Sequence, residues 1–303
     1  MNKKWLILDC NYLCHRAKWT TGGLSYENTP TGVIYGFLKS ITHFQEYFNT
    51  PHVIFCWDSK YSKREEIFPA YKSNRKNKYK DMNEDEIKFE KEFRQQMIML
   101  RKKYLPTIGY KNVFVQRGYE ADDIIASICF NLPMLDEAVI VSSDQDLYQL
   151  INPQVSFYNP VKGKVLTLQG FKKKYGIEPH LWGEVKVIAG CNTDGVPGIK
   201  GVGEKTAIKY LKKELKKTSQ AYQIISTADF SLIRRNKKLV VLPFKGTKNF
   251  RLQKDEISKE GWKKTIEELG MKSLKDKPPI FKRKRINEYS NPKNNPRIEK
   301  PRA

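Results

Sequence analysis

The chain has 303 residues, an ordinary apolar content of 39% and a formal charge of +23, from 56 Lys and Arg against 33 Asp and Glu. Such an excess points to a polyanionic partner, nucleic acid ahead of an anionic membrane surface, because neutralised phosphates release counterions; a merely basic surface is the plain alternative. The five cysteines, at 10, 14, 56, 129 and 191, are odd in number and form no CxxC pair, which sets aside a disulfide framework and a zinc cluster and suits a reducing cytoplasm.

From the N-terminus, MNKKWLILD offers an apolar stretch too short for a signal peptide, and no later run reaches membrane-spanning length. Trp5–Leu8 reads as a strand leading into Asp9. A helical pattern over Val33–Phe48 follows, then a strand at Val53–Trp57 leading into Asp58. Residues 60–91 are charged throughout, with eight Lys and Arg against two Glu between Lys60 and Lys80. A helix is expected over Glu92–Tyr104 and strands at Val113–Gln116 and Ala138–Ser143, with Asp144 directly after the last. Uninterrupted apolar strands alternating with helices indicate an α/β fold over residues 1–175, a central, mostly parallel sheet flanked by helices. A composition shift near 170–180 opens a second, mostly helical region, 176–275. From Lys275 on, five Pro and ten Lys and Arg without amphipathic period read as a basic, disordered tail over 276–303.

Asp9, Asp58 and Asp144 each follow a predicted parallel strand, and open α/β sheets bind ligands at the carboxyl ends of their strands. The turn GYEADDIIA adds Glu120, Asp122 and Asp123, SSDQDLYQL adds Asp146, and Asp194 follows. Any one of these is as well explained as a helix cap or a first-turn acid. Eight carboxylates converging in so basic a chain are not. Two like charges ~4 Å apart repel by about 4 kcal/mol at an effective dielectric of 20, so the cluster calls for protonation or bridging cations. Hard divalent ions such as Mg²⁺ take oxygen ligands, and a carboxylate-bound metal on a basic protein points to phosphodiester chemistry.

The ordered set LILDCNYL, VIFCWDSK, FPAYKSNRK, GYEADDIIA, SSDQDLYQL and GVPGIKGVGEKTA resembles the 5′-nuclease superfamily through about residues 3–245. That superfamily comprises flap endonucleases, phage 5′-exonucleases and the 5′-nuclease domains of bacterial DNA polymerases. Single pieces are weak signals; their order is a strong one. The resemblance implies a PIN-like core, a helical arch or clamp at about 60–103 around single-stranded 5′ ends, and a helix–three-turn–helix DNA-binding module. It assigns Asp9, Asp58, Glu120 and Asp122 to a first metal cluster, Asp144, Asp146 and Asp194 to a second, and Asp123 between them. Two Mg²⁺ ions are implied, with Mn²⁺ as a substitute. In FPAYKSNR the resemblance stacks Tyr71 on a base near the scissile bond and puts Lys72 and Arg75 on the scissile phosphate. Arg64 joins that group, one residue closer to Asp58 than the family pattern has it. Aromatic faces accept any base, and cationic donors stabilise a transferring phosphoryl group. Taken alone, Tyr71 reads as core, Lys72 as solvated surface and the charged run as a solvated helix. The implied partners are branched or 5′-ended DNA, RNA primers on DNA, and a replication polymerase or single-strand-binding protein. The expected setting is a monomer in the cytoplasm of a bacterial or phage-infected cell.

The stretch GCNTDGVPGIKGVGEKTA, from Gly190 to Ala207, holds five glycines, more than a turn between helices needs. Over 195–205 it matches a helix–hairpin–helix-like turn. Glycine lets a backbone approach phosphate closely, so the N–H groups of Gly201, Val202 and Gly203 are expected to face phosphate where a helix begins near Glu204. Lys200, Lys205 and Lys209 would add sequence-independent contacts. In related modules a K⁺ ion bridges turn carbonyls and phosphate, which the resemblance extends to this hairpin. Where the family has Asp-x-x-Asp, this chain has Cys191-x-x-Asp194, with Gly195 in place of Asn. A thiol is a poor Mg²⁺ ligand. The second site is therefore expected to be weakened, to favour Mn²⁺, or to lean on Asp144 and Asp146; neutral drift at a water-mediated contact is the alternative. The leading expectation is a metal-dependent 5′-nuclease. A branched-DNA binder with a decayed metal site and a PIN-type ribonuclease are the alternatives. The retained carboxylates weigh against the first, the glycine hairpin and basic arch against the second.

Overall fold

The computed structural model describes residues 2–74 and 81–282. Its frame is a six-stranded sheet of β1 (Lys4–Asp9), β2 (His52–Trp57), β3 (Val113–Val115), β4 (Glu137–Val141), β5 (Val155–Asn159) and β6 (Lys164–Leu166) in the order β3-β2-β1-β4-β5-β6. All neighbours are parallel except β5 and β6, which are antiparallel. Trp5 through Leu8 are all buried because both faces of the sheet are covered. Leu6 and Leu8 enter one core with α1 (Cys10–Thr21), α2 (Gly32–Phe48) and α3 (Glu84–Met99), through residues such as Leu13, Phe37 and Phe93. Trp5 and Ile7 enter the other, against Ile124, Ile125 and Ile128 of α4 (Ala121–Phe130). Cys10, Cys56 and Cys129 lie in these cores as free thiols, and Cys14 and Cys191 are free and buried too.

The span expected as an arch divides. Asn83 caps α3 in a reciprocal capping box with Glu86. The helix starts exposed, but from its middle onward it belongs to the core. Glu90 pairs with Lys18, Gln96 Oε1 accepts the Val33 N–H at 2.9 Å, and a π-type turn at Leu100–Tyr104 carries the helix on into Leu105–Ile108. The later part of the span expected as an arch, from about Glu90 to residue 103, is therefore part of the core. Residues 75–80, at its centre, lie outside the described residues.

The helical region contains α5 (Leu168–Tyr175), α6 (Trp182–Ala189), α7 (Glu204–Leu211), α8 (Gln220–Ser226) and α9 (Phe230–Val240). It closes at about Val240, not at 275. The chain then runs back along β3: Asn112 exchanges hydrogen bonds with the Gln253 backbone at 2.8 and 2.9 Å, and Gln116 with Lys248 and Gly246. It ends in α10 (Lys259–Glu268), whose Trp262 and Ile266, with Leu269, join the core of β1, α1 and α2. Their i, i+4, i+7 spacing makes one apolar stripe. Residues 276–282 lie beside Lys39, Thr42 and His43 of α2 with Pro279 buried, so the tail expected from 276 is packed at its start. Residues 283–303 fall outside the described residues. Among the described residues no helix is long and apolar enough to cross a membrane.

Candidate active site

The carboxyl ends of β1, β2 and β4 open into one cavity of about 720 Å³, lined by Asp9, Asp58, Glu120, Asp122, Asp144, Asp146 and Cys191 among others. Each acid is held by the local fold. Asp9 ends β1 and caps α1, its Oδ1 accepting the Tyr12 N–H at 3.0 Å and its Oδ2 the Ser142 hydroxyl at 2.8 Å. Asp58 Oδ1 accepts the Ala121 N–H at 2.7 Å, tying the end of β2 to the start of α4. Asp144 caps the turn after β4 through the Asp146 N–H at 2.8 Å. Capping and convergence are thus one arrangement: strand-to-helix junctions place the acids, and the parallel sheet aligns the junctions.

Burial and the Asp58 charge push Asp9 up to about 7. Burial, with Asp144 and Asp9, raises Asp122 well above the carboxylate range, and burial with Asp146 raises Asp144. These acids repel one another in a poorly solvated cleft, the condition a bound cation relieves. The Asp144 charge thus acts on Asp9 and Asp122, acids expected in a separate cluster.

Glu120 behaves differently. Burial opposes its ionisation, but Lys72 at 2.9 Å and Arg64 hold it down at about 2. Lys72 has a left-handed backbone (φ 53°), and its N–H donates to the Asp194 carbonyl at 2.8 Å. That geometry turns its ammonium into the cavity, between Glu120 and Asp194 Oδ1 at 3.7 Å.

Tyr71, Arg64 and Asp123 are placed otherwise than expected. Tyr71 is only 2% exposed, packed with Val187, Val196 and Leu239, so its face is not open to a base. Its hydroxyl instead lies 2.9 Å from Glu120 Oε2 and 3.1 Å from Asp194 Oδ2, sharing one proton between the two acids. Arg64 is equally buried. Its guanidinium makes two parallel bonds of 2.7 Å to Asp123, and its Nε donates to the Leu239 carbonyl at 2.8 Å. Asp123 in turn accepts the N–H groups of Phe244 at 2.8 Å and Glu120 at 3.1 Å. Arg64 thus faces no phosphate and Asp123 no metal; they form a buried pair behind the cleft. Arg75 lies outside the described residues.

At the far wall, Asp146, Cys191 and Asp194 bring a ligand atom each within 4.8 Å of one another. The Cys191 thiol, pushed up to about 12 by burial and Asp146, lies 3.3 Å from Asp146 Oδ2. Lys186, which sequence reasoning missed, places its ammonium 3.0 Å from Asp146 Oδ1 and 2.9 Å from Glu204 Oε1. Its signal was present: it is the one cation in the apolar run of α6, WGEVKVIA. Asn11, Tyr12, His15 and Ser142 also line the cavity and were missed.

Glu204 opens α7, so the hairpin meets the acidic wall through Lys186. Four of the five glycines fall into two pairs with different roles. A Cβ at Gly190 would come within 2.3 Å of Gly198 N, and one at Gly198 within 2.1 Å of the Ala189 carbonyl carbon, so this pair lets two backbones touch. Gly201 and Gly203 face open space, with no atom within 4 Å of an added Cβ. Val202 is buried and its N–H is taken by the Ile199 carbonyl at 3.0 Å, so it does not face outward as expected. Lys200, Lys205 and Lys209 are exposed around the turn.

Residues 4–176 match the N-terminal resolvase-like domain of 5′-3′ exonucleases. The chain belongs to the 5′-3′ exonuclease family. It is 32% identical over 255 residues to the 5′-3′ exonuclease of Buchnera aphidicola subsp. Schizaphis graminum, covering 83% of this chain and 80% of that one. It is 31% identical over 222 residues to the 5′-3′ exonuclease of Bacillus subtilis, covering 70% and 71%. The T5 flap endonuclease, in a pseudo-enzyme-product complex with DNA and metal ions, shares the fold with a TM-score of 0.66 at 21% identity, over 80% of this chain and 90% of its own. Like its relatives, this family member is a nuclease.

Proposed function

We propose that the protein is a divalent-metal-dependent 5′-nuclease that removes nucleotides from 5′ ends and cuts flaps in DNA, including RNA primers on DNA. The observation that carries this reading is the meeting of two surfaces. A cleft of mutually repelling carboxylates and the open glycine turn at the start of α7 adjoin through Glu204. The DNA and metal ions of the T5 complex support the same reading.

The residues fit a hard cation at one position. Asp9, Asp58, Asp122 and Asp144 form an all-oxygen donor set whose charges oppose one another, which suits Mg²⁺ or Mn²⁺. When bound there, such an ion lowers the pKa of a coordinated water and stabilises developing negative charge. At the second position, around Cys191, the donors fit Mg²⁺ poorly. The chain's own residues would orient the phosphodiester. Lys72, kept charged by Glu120, would neutralise the scissile phosphate, and Tyr71 would hold Glu120 and Asp194 in register from behind. Gly201, Gly203, Lys200, Lys205 and Lys209 would grip the phosphates of the duplex, with a K⁺ ion at the turn. In-line hydrolysis would leave 5′-phosphate and 3′-hydroxyl ends.

Cleavage of a 5′-flap DNA labelled at each end in turn, in Mg²⁺, Mn²⁺ or Ca²⁺, tests the proposal. Cuts near the flap junction in Mg²⁺ or Mn²⁺ are expected, abolished in Asp144→Asn and slowed about 10²–10³-fold in Lys72→Ala. Binding without any cut would instead make the protein a branched-DNA binder.

A further inference from the structure

We propose that the ammonium of Lys186, rather than a second divalent ion, is the standing positive charge of the Asp146–Cys191–Asp194 wall. On this proposal the protein holds one divalent ion tightly and a second only at much higher concentration. The inference rests on the reading that the cleft binds metal.

Every donor on this wall already has a partner from the chain. Asp146 receives Lys186 on Oδ1 at 3.0 Å and the Cys191 thiol on Oδ2 at 3.3 Å. Asp194 receives the Tyr71 hydroxyl on Oδ2 at 3.1 Å, with Lys72 3.7 Å from Oδ1. The thiol also lies 3.1 Å from the Thr193 hydroxyl.

Lys186 is built into its place. It is buried, it sits 5.7 Å above the Trp182 ring, and Glu204 at 2.9 Å holds it from the side of the hairpin. A divalent ion entering here would have to displace or face that ammonium, and would find a neutral sulfur where a third carboxylate would otherwise attract it. Like charges crowded into one cleft repel, so this ammonium weakens the wall's hold on any second cation. Lys186 and Cys191 therefore act in the same direction: one adds a positive charge to the wall and the other leaves out a negative one.

Because Lys186 also holds Glu204 at the first residue of α7, it links the acidic wall to the turn expected to grip DNA. It is a positioning residue, and the charge it supplies needs no exchange with solvent.

The test is Mn²⁺ binding to the full-length protein, counted by the electron paramagnetic resonance of free Mn²⁺, with no substrate present. The wild type should show one tight ion per chain and a second at least about tenfold weaker. Cys191→Asp and Lys186→Met should each tighten the second ion by about tenfold or more. A thermal melt checks folding, and either variant alone suffices if the other is unstable. Two equally tight ions in the wild type, or a second affinity unchanged in a folded variant, would overturn the proposal. Absence of any bound Mn²⁺ would overturn the metal reading itself, and this proposal with it. Flap cleavage plays no part in the count, so a protein that binds one ion but cuts no flap separates the two ideas.

Discussion

Arg64 and Asp123 allow the sharpest separation of structure from catalysis. Replacing Arg64 with Met removes two parallel 2.7 Å bonds and strands a carboxylate that has no exposed surface. The backbone donors of Phe244 and Glu120 would still reach it, but its countercharge would be gone. Breaking a buried pair from one side costs about 3–5 kcal/mol. Most of that loss reflects the stranded charge, so adding Asp123→Asn, which keeps an acceptor for the backbone while removing the charge, should recover about 1–3 kcal/mol. Urea unfolding of the four members of this cycle, followed by tryptophan fluorescence, measures both quantities. Were Arg64 instead a phosphate ligand, Arg64→Met would leave stability within about 0.5 kcal/mol and lower cleavage alone. That result would refute the assignment of this pair to the scaffold.

Two further outcomes follow from the same geometry. Asp9 stands at about 7 against an ordinary 3.8, so the folded, metal-free protein binds its proton more tightly than the unfolded chain. Its stabilising contribution is complete below 3.8 and is lost as the pH rises through about 7. Thermal melts in EDTA should therefore fall between pH 5 and 7.5, and saturating Mg²⁺ should flatten the profile; coincident profiles would count against cation binding at Asp9. At the hairpin, Gly203→Ala adds a methyl that meets no protein atom within 4 Å, so stability should change by no more than about 1 kcal/mol. Its affinity for nicked duplex DNA in Ca²⁺ should drop by about tenfold or more, because the methyl occupies the open space through which phosphate would approach the backbone N–H groups. An unchanged Kd would remove phosphate from this turn.

Much of this protein is legible one segment at a time. WLIL, VIFCW and AVIV are apolar without alternation, which only a sheet covered on both faces satisfies, and each hands its end to Asp9, Asp58 or the Ser142–Asp144 turn. That logic is local and periodic, so the sequence by itself determined the parallel sheet, the edge where the acids gather and the open glycine turn. What it left undecided is which polar groups face each other across long separations. Arg64 and Asp123 look like site residues in their motifs, yet folding brings Leu239 and Phe244 behind them and closes the pair off from the cleft. Tyr71 has the sequence of a stacking residue and the surroundings of a core one. Lys186 is an unremarked lysine in α6 until the hairpin sets Glu204 beside it. In each case burial and countercharge, both properties of the assembled tertiary structure, decided whether a charged side chain became part of the chemistry or part of its support.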